Sequence, residues 1–469
     1  MSITNFWAGV PQGPPDPILG VTDAFKKDTA TNKVNLGVGA SGSAPCPSRD
    51  EQGKPYVLES VLQAEDILHK KKLDKEYLPI TGETEFVRLS AELAYGKDSK
   101  PLTENRVRRH ANLRYSSRKA TQKSYLLTFP CFQIAVAQSI SGTGALRIAT
   151  EFLAKYYPGP KSVYLPDPTW GNHIPLVEGT GMKVVRYRYF DKKTIGLDFA
   201  GMKEDIEVSH SLSGMSTSTD LEQKAEPGSI LADVHQILLH ACAQNPTGID
   251  PTKEQWKELN EVIKSKKHLA LFDMAYQGFA SGDLIGDAFA PRYFVEQGHQ
   301  IILCQSFAKN LGLYGERAGT FSMVCSSPEE KERVLSQVKR VIRPLYSSPP
   351  LHGAQLVATI LGTPELFEQW LKEVKKMADR IISMREKLYN ALVELKTPGE
   401  WGHIKSQIGM FSFTGMTADQ VSDLAEYAHV YLTKDGRISM AGLNEGNIQY
   451  FAESMSKAVK GELKPKSSL

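Results

Sequence analysis

The sequence predicts an α/β fold with a mostly parallel central sheet sandwiched by helices. From about Ser139 the chain alternates short apolar runs with helical patterns. Several runs end in polar residues, as in QILLHACAQNPTG and HLALFDMAY. Strands that alternate with helices are typical of a parallel sheet covered on both faces. Ligands of such sheets bind at the carboxyl ends of the strands, where these polar residues lie.

Composition argues against several classes of protein. The 469 residues include 56 Lys and Arg and 53 Asp and Glu, so the net charge is +3. A charge this close to neutral argues against a protein that binds nucleic acid or an acidic membrane surface. The five cysteines form no CxxC pair, so we expect no disulfide framework or zinc site, and a reducing compartment. No run is apolar enough for a membrane span, and the N-terminal residues have no secretory or transit pattern.

Apolar spacing predicts the elements in order. Near the N-terminus we expect a helix, a strand and two more helices, at Ile18–Lys27, Val34–Ala40, Leu58–Lys72 and Phe86–Tyr95. The sheet strands follow in KSVYLPD, MKVVRYRYF, QILLHACA, HLALFDM and QIILCQS, with a glycine turn and helix in SISGTGALRIATEFLAKYY. Two long helices are predicted over Pro328–Ile342 and Pro364–Leu395, and the short strands IGMFSFTG and RISMAG indicate a terminal α+β domain.

Lys309 is the candidate reactive amine. It follows the apolar run IILCQ, so a strand end would present its side chain. Ser306 and Arg317 flank it, and both residue types bind phosphate. A nearby cation lowers the pKa of a lysine and favours the free amine that forms Schiff bases. The alternative is an ordinary solvated surface lysine.

Polar residues after two other strands are candidates for holding an aromatic cofactor. Asp273 ends the run LALFD, where it could keep a pyridine nitrogen protonated or could serve as a helix cap or turn former. Tyr276 could donate to a phenolate oxygen. Asn245 in AQNPTG follows a strand as well, and its alternative is a plain Asn-Pro turn.

Two further segments could complete a cofactor site. SGTGALR, over Ser141–Arg147, places small residues and hydroxyls at a helix start, where free N–H groups bind anions. It could also be a tight turn, and it is not a GxGxxG fingerprint. Trp170 in PTWGNH could stack on a cofactor ring or could be a core or interface residue.

Two arginines are candidates for carboxylate recognition. Arg343 lies in RPLYSSPP and Arg437 in KDGRISMAG. Arginine binds carboxylates in a bidentate manner, although each could be a simple exposed arginine. Together with the lysine and the anion site they suggest a dicarboxylate substrate.

These segments together resemble the aspartate aminotransferase family, pyridoxal-phosphate enzymes of fold-type I. The similar motifs cover most of the chain and are GPPDPILG, GKPYVL, KEYLPI, SGTGALRI, PTWGNH, NPTG, FDMAYQGFASGD, QSFAKNLGLYGERAG and YLTKDGRIS. GPPDPILGVT, LDKEYLPI and FDMAYQGFASGD look like the mitochondrial branch.

The resemblance implies a role for each matching residue. Lys309 would hold the cofactor as a Schiff base and move the proton between substrate Cα and cofactor C4′, and Asp273 would pair with the pyridine nitrogen. Tyr276 and Asn245 would bond the ring oxygen, and Trp170 would stack on the ring and contact substrate. The phosphate would be held by Ser141, Gly142, Thr143, Ser306, Arg317 and, from the neighbouring subunit, Tyr77. The substrate carboxylates would be bound by Arg437 near Gly39 and by Arg343 of the neighbour, and Asn245 would contact the substrate as well.

The implied activity is transfer of the amino group between aspartate and 2-oxoglutarate by ping-pong chemistry on pyridoxal 5′-phosphate, in a homodimer of the mitochondrial matrix or of the cytoplasm. The implied domains are an N-terminal arm with part of a small domain (1–55), a large cofactor domain (56–372) and the rest of the small domain (373–469). The alternatives are an aminotransferase for aromatic amino acids or kynurenine, and an inactive isoform disrupted by insertions that survives as a binding protein. A dinucleotide dehydrogenase fits poorly, because no acidic residue follows a glycine fingerprint at the required distance.

The chain departs from the family pattern at several places. Gln244 stands where the family has histidine, Ser348 where it has asparagine, and SGSAPCPS follows VGA. The stretch from about 207 to 236 and the 27-residue segment Val107–Gln133 have no counterpart. We expect Val107–Gln133 to be the translation of a retained intron. The segment shows neither a helical nor an alternating apolar period, and its first and last residues can be encoded by codons that match the two ends of an intron, GT… for valine and CAG for glutamine. A native surface loop is the alternative.

Overall fold

The computed structural model describes residues 7–13, 19–37, 57–103, 133–208 and 234–463. Within them lies a seven-stranded mixed sheet. Its strands are Ile134–Ile140 (β2), Ser162–Asp167 (β3), Lys183–Arg188 (β4), Gln236–His240 (β7), Leu269–Met274 (β8), Ile302–Ser306 (β9) and Ala318–Val324 (β10). Their order across the sheet is β2-β10-β9-β8-β7-β3-β4. The pairs β9–β8, β8–β7, β7–β3 and β3–β4 are parallel, whereas β10 runs antiparallel to both neighbours. The predicted α/β class with a mostly parallel sheet is confirmed.

Helices cover both faces of this sheet. Successive side chains of a strand point to opposite faces, so Leu271 packs in one hydrophobic cluster with Leu146, while Phe272 packs in another with Trp256. Each fully buried large apolar side chain contributes about 1.5–3 kcal/mol. The helices from the N-terminus to the last sheet strand are Leu19–Lys27 (α1), Glu59–Lys71 (α2), Thr84–Tyr95 (α3), Lys100–Thr103 (α4), Ser141–Tyr156 (α5), His173–Glu178 (α6), Phe199–Glu207 (α7), Lys253–Ser265 (α8), Leu284–Asp287 (α9) and Phe289–Glu296 (α10).

The C-terminal part is mainly helical. Its helices are Pro328–Tyr346 (α11), His352–Gly362 (α12), Pro364–Glu394 (α13), His403–Ser406 (α14), Ala418–Ala428 (α15) and Ile448–Lys460 (α16). The 31-residue α13 buries a stripe spaced three or four residues apart, including Trp370, Val374, Ile381 and Leu388, and packs against both α12 and α16.

Short strands join the two ends of the chain. The parallel pair Val34–Asn35 (β1) and Val430–Tyr431 (β12) brings the N-terminal segment to the C-terminal part. Phe411–Phe413 (β11) and Arg437–Ser439 (β13) form an antiparallel pair, followed by a 3₁₀ turn at Met440–Gly442. A two-stranded ribbon, Phe190–Asp191 (β5) with Gly196–Leu197 (β6), lies beyond the last strand of the main sheet.

Most predicted elements lie within a few residues of their expected positions. The strand expected over Val34–Ala40 is shorter, because it ends at Asn35 although the chain is described as far as Gly37. The helix expected to end at Ile342 continues through Pro344 to Tyr346. Strand β10 was not predicted, because its residues are buried on both faces and therefore show no alternation. Helix α12 was not predicted either, because its mostly apolar sequence HGAQLVATILG has little polar face.

Some predictions lie outside the described residues. They concern Gly39, residues 41–48, nearly all of Val107–Gln133 and most of 207–236. Among the residues that are described, no helix is long and apolar enough to span a membrane. The three described cysteines, Cys242, Cys304 and Cys325, are buried free thiols.

Candidate active site

A cavity of about 270 Å³ opens at the carboxyl ends of β7, β8 and β9. The parallel register places His240 beside Asp273 and Asp273 beside Cys304, so the polar residues that follow these strands converge at one edge of the sheet. Eleven of the sequence-predicted site residues line the cavity. They are Ser141, Gly142, Thr143, Trp170, Asn245, Asp273, Tyr276, Ser306, Lys309, Arg317 and Arg437.

One end of the cavity is built to hold an anion. Helix α5 begins here, and no side chain caps its first N–H groups. The hydroxyls of Ser141 and Ser306 lie 2.9 Å apart at the same point. Arg317 adds a half-buried guanidinium, whose pKa is lowered by burial. A helix N-terminus, two hydroxyls and a guanidinium together match a phosphate group.

This anion site depends on a close approach of three strands. Gly319 in β10 lies between Ser139 of β2 and Ser306 of β9. A Cβ atom on Gly319 would lie 2.6 Å from the carbonyl oxygen of Gln305 and 2.7 Å from Cα of Ser141. A larger residue would therefore displace the start of α5.

Lys309 lies in the turn after β9, with Nζ 5.5 Å from the centre of the Tyr276 ring. Burial lowers the pKa of Lys309; Arg317 lowers this pKa further and Asp273 opposes the shift. A lowered pKa increases the fraction of free amine at neutral pH, which is the nucleophilic form.

Asp273 is a buried carboxylate next to a buried histidine. Nε2 of His173 donates to Oδ2 of Asp273 over 3.2 Å, and Thr169 Oγ1 lies 2.7 Å from Nδ1 of the same ring. Burial alone would raise the pKa of Asp273, but the hydrogen bond and charge of His173, with Lys309 nearby, hold this pKa below its ordinary value. Asp273 is therefore ionised at neutral pH and can pair with a protonated ring nitrogen.

Arg437 forms the opposite wall. Arg437 is only 5% exposed. Its guanidinium donates to Oδ1 of Asn245 over 3.2 Å and to the carbonyl of Gly37 over 3.1 Å. The same group lies 4.4 Å from the centre of the Phe411 ring. Its buried Nε has no hydrogen-bond partner among the described residues. A buried guanidinium with an unused donor can accept an anionic ligand, because unpaired buried charge is unfavourable.

Two aromatic residues complete the walls. Trp170 is half-buried and contacts His173 edge-to-face, with ring centres 5.3 Å apart. Tyr276 is buried, and burial together with Asp273 raises the pKa of its hydroxyl, which therefore stays protonated as a donor.

Three predicted site residues are not brought to the cavity. Tyr77 is 90% exposed, and Arg343 is exposed on α11, where its guanidinium donates to Oγ of Ser347 over 2.8 Å. Both were predicted to act on a neighbouring subunit. Gly39 lies outside the described residues; Gly37, two residues earlier in the sequence, accepts a hydrogen bond from Arg437.

Several residues of the cavity were not assigned by sequence reasoning. They are Leu146, His240, Cys242, Ala275, Tyr314, Met410 and Phe411, with His173 behind Asp273. His173 is part of the motif PTWGNH, and His240 ends β7 as Asp273 ends β8, so strand-end position could have indicated His240. Burial lowers the pKa of His240 to about 3, so this ring is neutral at neutral pH.

The substitution at Gln244 is accommodated by a set of hydrogen bonds. Its Nε2 donates to the carbonyl of Pro168 over 2.8 Å, and its Oε1 accepts from the N–H of Thr247 over 2.9 Å. Gln244 therefore connects the turn that carries Asn245 with the loop that leads to Trp170.

Comparisons with known proteins agree with this geometry. The family described as "Aminotransferase class I and II" matches residues 123–455. The chain belongs to this family. The aminotransferase is 47% identical to "Aspartate aminotransferase, mitochondrial" of Gallus gallus over 97% of this chain and 95% of that protein. Its fold is similar to a solved aspartate aminotransferase from the cytoplasm of Saccharomyces cerevisiae, with a TM-score of 0.82 and 38% identity over 97% of this chain and 99% of the other. A solved aromatic-amino-acid aminotransferase from Burkholderia pseudomallei, described as covalently bound to pyridoxal phosphate, has a TM-score of 0.82 and 35% identity over 98% of this chain and 100% of the other.

The cofactor of this family is pyridoxal 5′-phosphate, and the residues of the cavity fit it. The aldehyde of the cofactor requires an amine, its phosphate requires an anion site, and its protonated ring nitrogen requires a carboxylate. The aminotransferase has Lys309 with a lowered pKa, the anion site at the start of α5, and ionised Asp273. The unused Nε of Arg437 leaves a donor for a second anionic ligand.

Proposed function

We propose that the chain transfers the amino group between L-aspartate and 2-oxoglutarate, giving oxaloacetate and L-glutamate. The observation that carries this proposal is the convergence of a low-pKa amine, an ionised carboxylate, an anion site and a buried arginine in one cavity. The relatives named aspartate aminotransferase support the same reaction. The predicted residue roles are part of the proposal.

The bound cofactor supplies an electron sink for the bonds at the amino-acid Cα. Asp273 would keep the ring nitrogen protonated, because its carboxylate stays ionised beside His173. The phosphate would be held by Ser141, Gly142, Thr143, Ser306 and Arg317, and Trp170 would cover the ring. Asn245 and Tyr276 would donate to the ring oxygen, and Asn245 is itself oriented by Arg437.

Lys309 would hold the cofactor and move the proton at the substrate Cα. Its half-buried position and lowered pKa favour the free amine that this proton transfer requires. Arg437 binds the α-carboxylate through its fork of donors, which fixes Cα near Nζ of Lys309.

The second carboxylate of the substrate requires a cation from elsewhere. The cationic groups among the described lining residues are Lys309, Arg317 and Arg437, and each already has a role. We therefore extend the proposal to a homodimer in which Arg343 of one subunit binds the distal carboxylate and Tyr77 reaches the phosphate in the other. Exposure of both side chains in the single chain supports this arrangement.

A visible absorbance spectrum of the purified protein with pyridoxal 5′-phosphate tests the reaction. Addition of aspartate is expected to shift the cofactor band and release oxaloacetate, and 2-oxoglutarate is expected to reverse the shift. A shift with phenylalanine or kynurenine but not with aspartate would instead indicate the aromatic or kynurenine reaction. Failure to bind the cofactor would indicate an inactive isoform.

The compartment and the domain division are part of the proposal as well. Relatives named mitochondrial support the mitochondrial matrix, with the cytoplasm as the alternative, and fractionation of cells expressing the tagged protein distinguishes them. The division into 1–55, 56–372 and 373–469 would place the change of domain within α13, which limited proteolysis tests.

A further inference from the structure

Arg385 is a buried arginine without an acidic partner among the described residues. It lies on the core face of α13 and is 2% exposed. Its guanidinium donates to three backbone carbonyls, those of Ile404 at 3.1 Å, Gly409 at 2.9 Å and Phe411 at 2.5 Å. Buried charges are usually paired with opposite charges. A buried guanidinium that donates only to backbone carbonyls therefore indicates that its role is to hold the segment from Ile404 to Phe411 in place.

The segment held by Arg385 lines the active-site cavity. Met410 and Phe411 form part of the wall, and the ring of Phe411 lies against the guanidinium of Arg437. The segment is also packed tightly, because a Cβ atom on Gly409 would lie 2.3 Å from Cβ of Ala243, in the turn before Asn245. A shift of Phe411 would therefore move the surface on which Arg437 rests.

We propose that Arg385 is a positioning residue for the substrate carboxylate: it fixes Phe411, and Phe411 fixes the plane of the Arg437 guanidinium. The inference rests on the proposed function, because that function makes Arg437 a carboxylate ligand. Arg385 itself does not line the cavity and acts through its hydrogen bonds to the backbone.

The geometry of the guanidinium is essential to this role. One terminal nitrogen, Nη2, serves Gly409 and Phe411, while Nη1 serves Ile404. A lysine keeps the positive charge but has a single nitrogen on a flexible stem, so it cannot reproduce the planar fork. The substitution Arg385→Lys therefore keeps the positive charge and removes the planar arrangement of donors, so it tests the geometry of the guanidinium separately from its charge.

The cofactor-phosphate site is independent of this arrangement. Ser141 and Ser306 are held by β2, β9 and β10, whereas the hydrogen bonds of Arg385 go to Ile404, Gly409 and Phe411, outside these strands. Loss of positioning is thus expected to weaken substrate binding and to leave cofactor binding unchanged, whereas general loosening of the fold would weaken both.

The test compares holoenzymes of the wild type, Arg385→Lys, Phe411→Leu, the double variant and Arg380→Lys. Arg380 is the matched control, because it lies on the same helix and donates to a carbonyl, that of Leu443, which does not line the cavity. Measurements are the KM and kcat for aspartate, the Kd of succinate as a non-reacting dicarboxylate, the Kd of pyridoxal 5′-phosphate for the apoprotein, and the thermal unfolding temperature.

Arg385→Lys and Phe411→Leu are each expected to raise the aspartate KM and succinate Kd roughly tenfold, with a smaller change in kcat and an unchanged cofactor Kd. The double variant is expected to be little worse than either single variant, because both act on one contact. Arg380→Lys is expected to match the wild type.

The proposal is overturned if Arg385→Lys lowers the unfolding temperature but leaves the succinate Kd within twofold, or if cofactor and succinate affinities fall together. If Arg385→Lys does not fold, Phe411→Leu decides: an unchanged succinate Kd in that variant overturns the proposal, and a tenfold rise with an unchanged cofactor Kd supports it. Absence of succinate binding and of aspartate turnover in the wild type would contradict the proposed function instead.

Discussion

Nε2 of His173 lies 3.2 Å from Oδ2 of Asp273. Both side chains are buried; Asp273 lines the cavity and His173 lies behind it. This contact lowers the pKa of Asp273 against the opposing effect of burial. The carboxylate contributes to stability above its ordinary pKa of 3.8, and the contribution is lost as the pH falls through the lower folded value. Between pH 5 and 9 the wild-type group is therefore ionised throughout.

Replacement of His173 by phenylalanine is expected to raise the pKa of Asp273, because burial remains and the hydrogen bond is lost. The kcat/KM for aspartate should fall by about tenfold or more, and more steeply near pH 5.5 than near pH 8. A pH–rate profile of variant and wild type checks this. His429→Gln, at an ion pair with Asp28 away from the cavity, is the control. A loss that is equal at all pH values would contradict the expected shift.

Lys309→Ala is expected to lose transamination by many orders of magnitude and to retain the cofactor poorly. The variant lacks both the covalent anchor and the group that moves the proton. Borohydride reduction followed by mass spectrometry should attach the cofactor irreversibly to the wild type and to the exposed-site control Lys257→Ala, but not to the variant. Near-normal turnover in Lys309→Ala would refute the assignment.

Arg343→Asp is expected to invert the charge preference for the substrate side chain. A carboxylate facing the distal carboxylate of aspartate or glutamate repels it, so their kcat/KM should fall at least a hundredfold, and lysine or arginine should be relatively favoured. Arg340→Asp, three residues earlier on α11 and also exposed, makes the same charge change at a different position. Unchanged aspartate activity in Arg343→Asp would show that this residue is not the distal ligand.

The convergence of the candidate site residues on one cavity could be predicted from the sequence, whereas part of the sheet could not. Asp273, Asn245 and Lys309 each follow an apolar run, and strand ends of a parallel sheet meet at one edge, so local order alone indicated their convergence. The antiparallel β10 was missed because burial on both faces removes the alternation that identifies a strand. His173 and Phe411 act through tertiary contacts, with Asp273 and Arg437, that no local pattern contains.

Gln244→Glu is expected to destabilise the protein in a pH-dependent way. The glutamate keeps an acceptor for Thr247 but, when ionised, sets an oxygen against the carbonyl of Pro168, at a cost of about 1–3 kcal/mol. Burial and this repulsion raise the folded pKa, so stability is highest at low pH and falls as the pH rises above the unfolded value of about 4.3.

Thermal unfolding of Gln244→Glu between pH 4.5 and 8 measures this dependence against the wild type. Gln244→His is the matched control, since a neutral imidazole has one donor and one acceptor and can serve both partners at pH 8. A flat difference between Gln244→Glu and the wild type across this range would mean that the contact with Pro168 does not constrain the turn.

Deletion of Val107–Gln133 is expected to leave the fold and the cofactor site intact. The described chain on either side of residues 104–132 meets at one point, because the N–H of Gln133 donates to the carbonyl of Pro101 over 2.9 Å. After deletion, residues 104–106 join Thr103 to Ile134. Three residues extend up to about 10 Å, which is enough to connect two chain ends that lie as close together as the hydrogen bond between Gln133 and Pro101 requires. Ile134 then begins β2 directly, and β2 leads into the anion site at Ser141.

The deletion variant should therefore equal or exceed the full-length protein in unfolding temperature, cofactor affinity and aspartate turnover. Gln133 also accepts from the N–H of Cys325 over 2.8 Å, so a second deletion of residues 107–132 retains both contacts and shows whether any loss comes from them. Transcript sequencing addresses the origin of the segment, since a retained intron predicts a major message without it. If the major message encodes all 27 residues and the full-length protein is as stable and active as both deletions, the segment is a native loop that the fold accommodates at modest entropic cost.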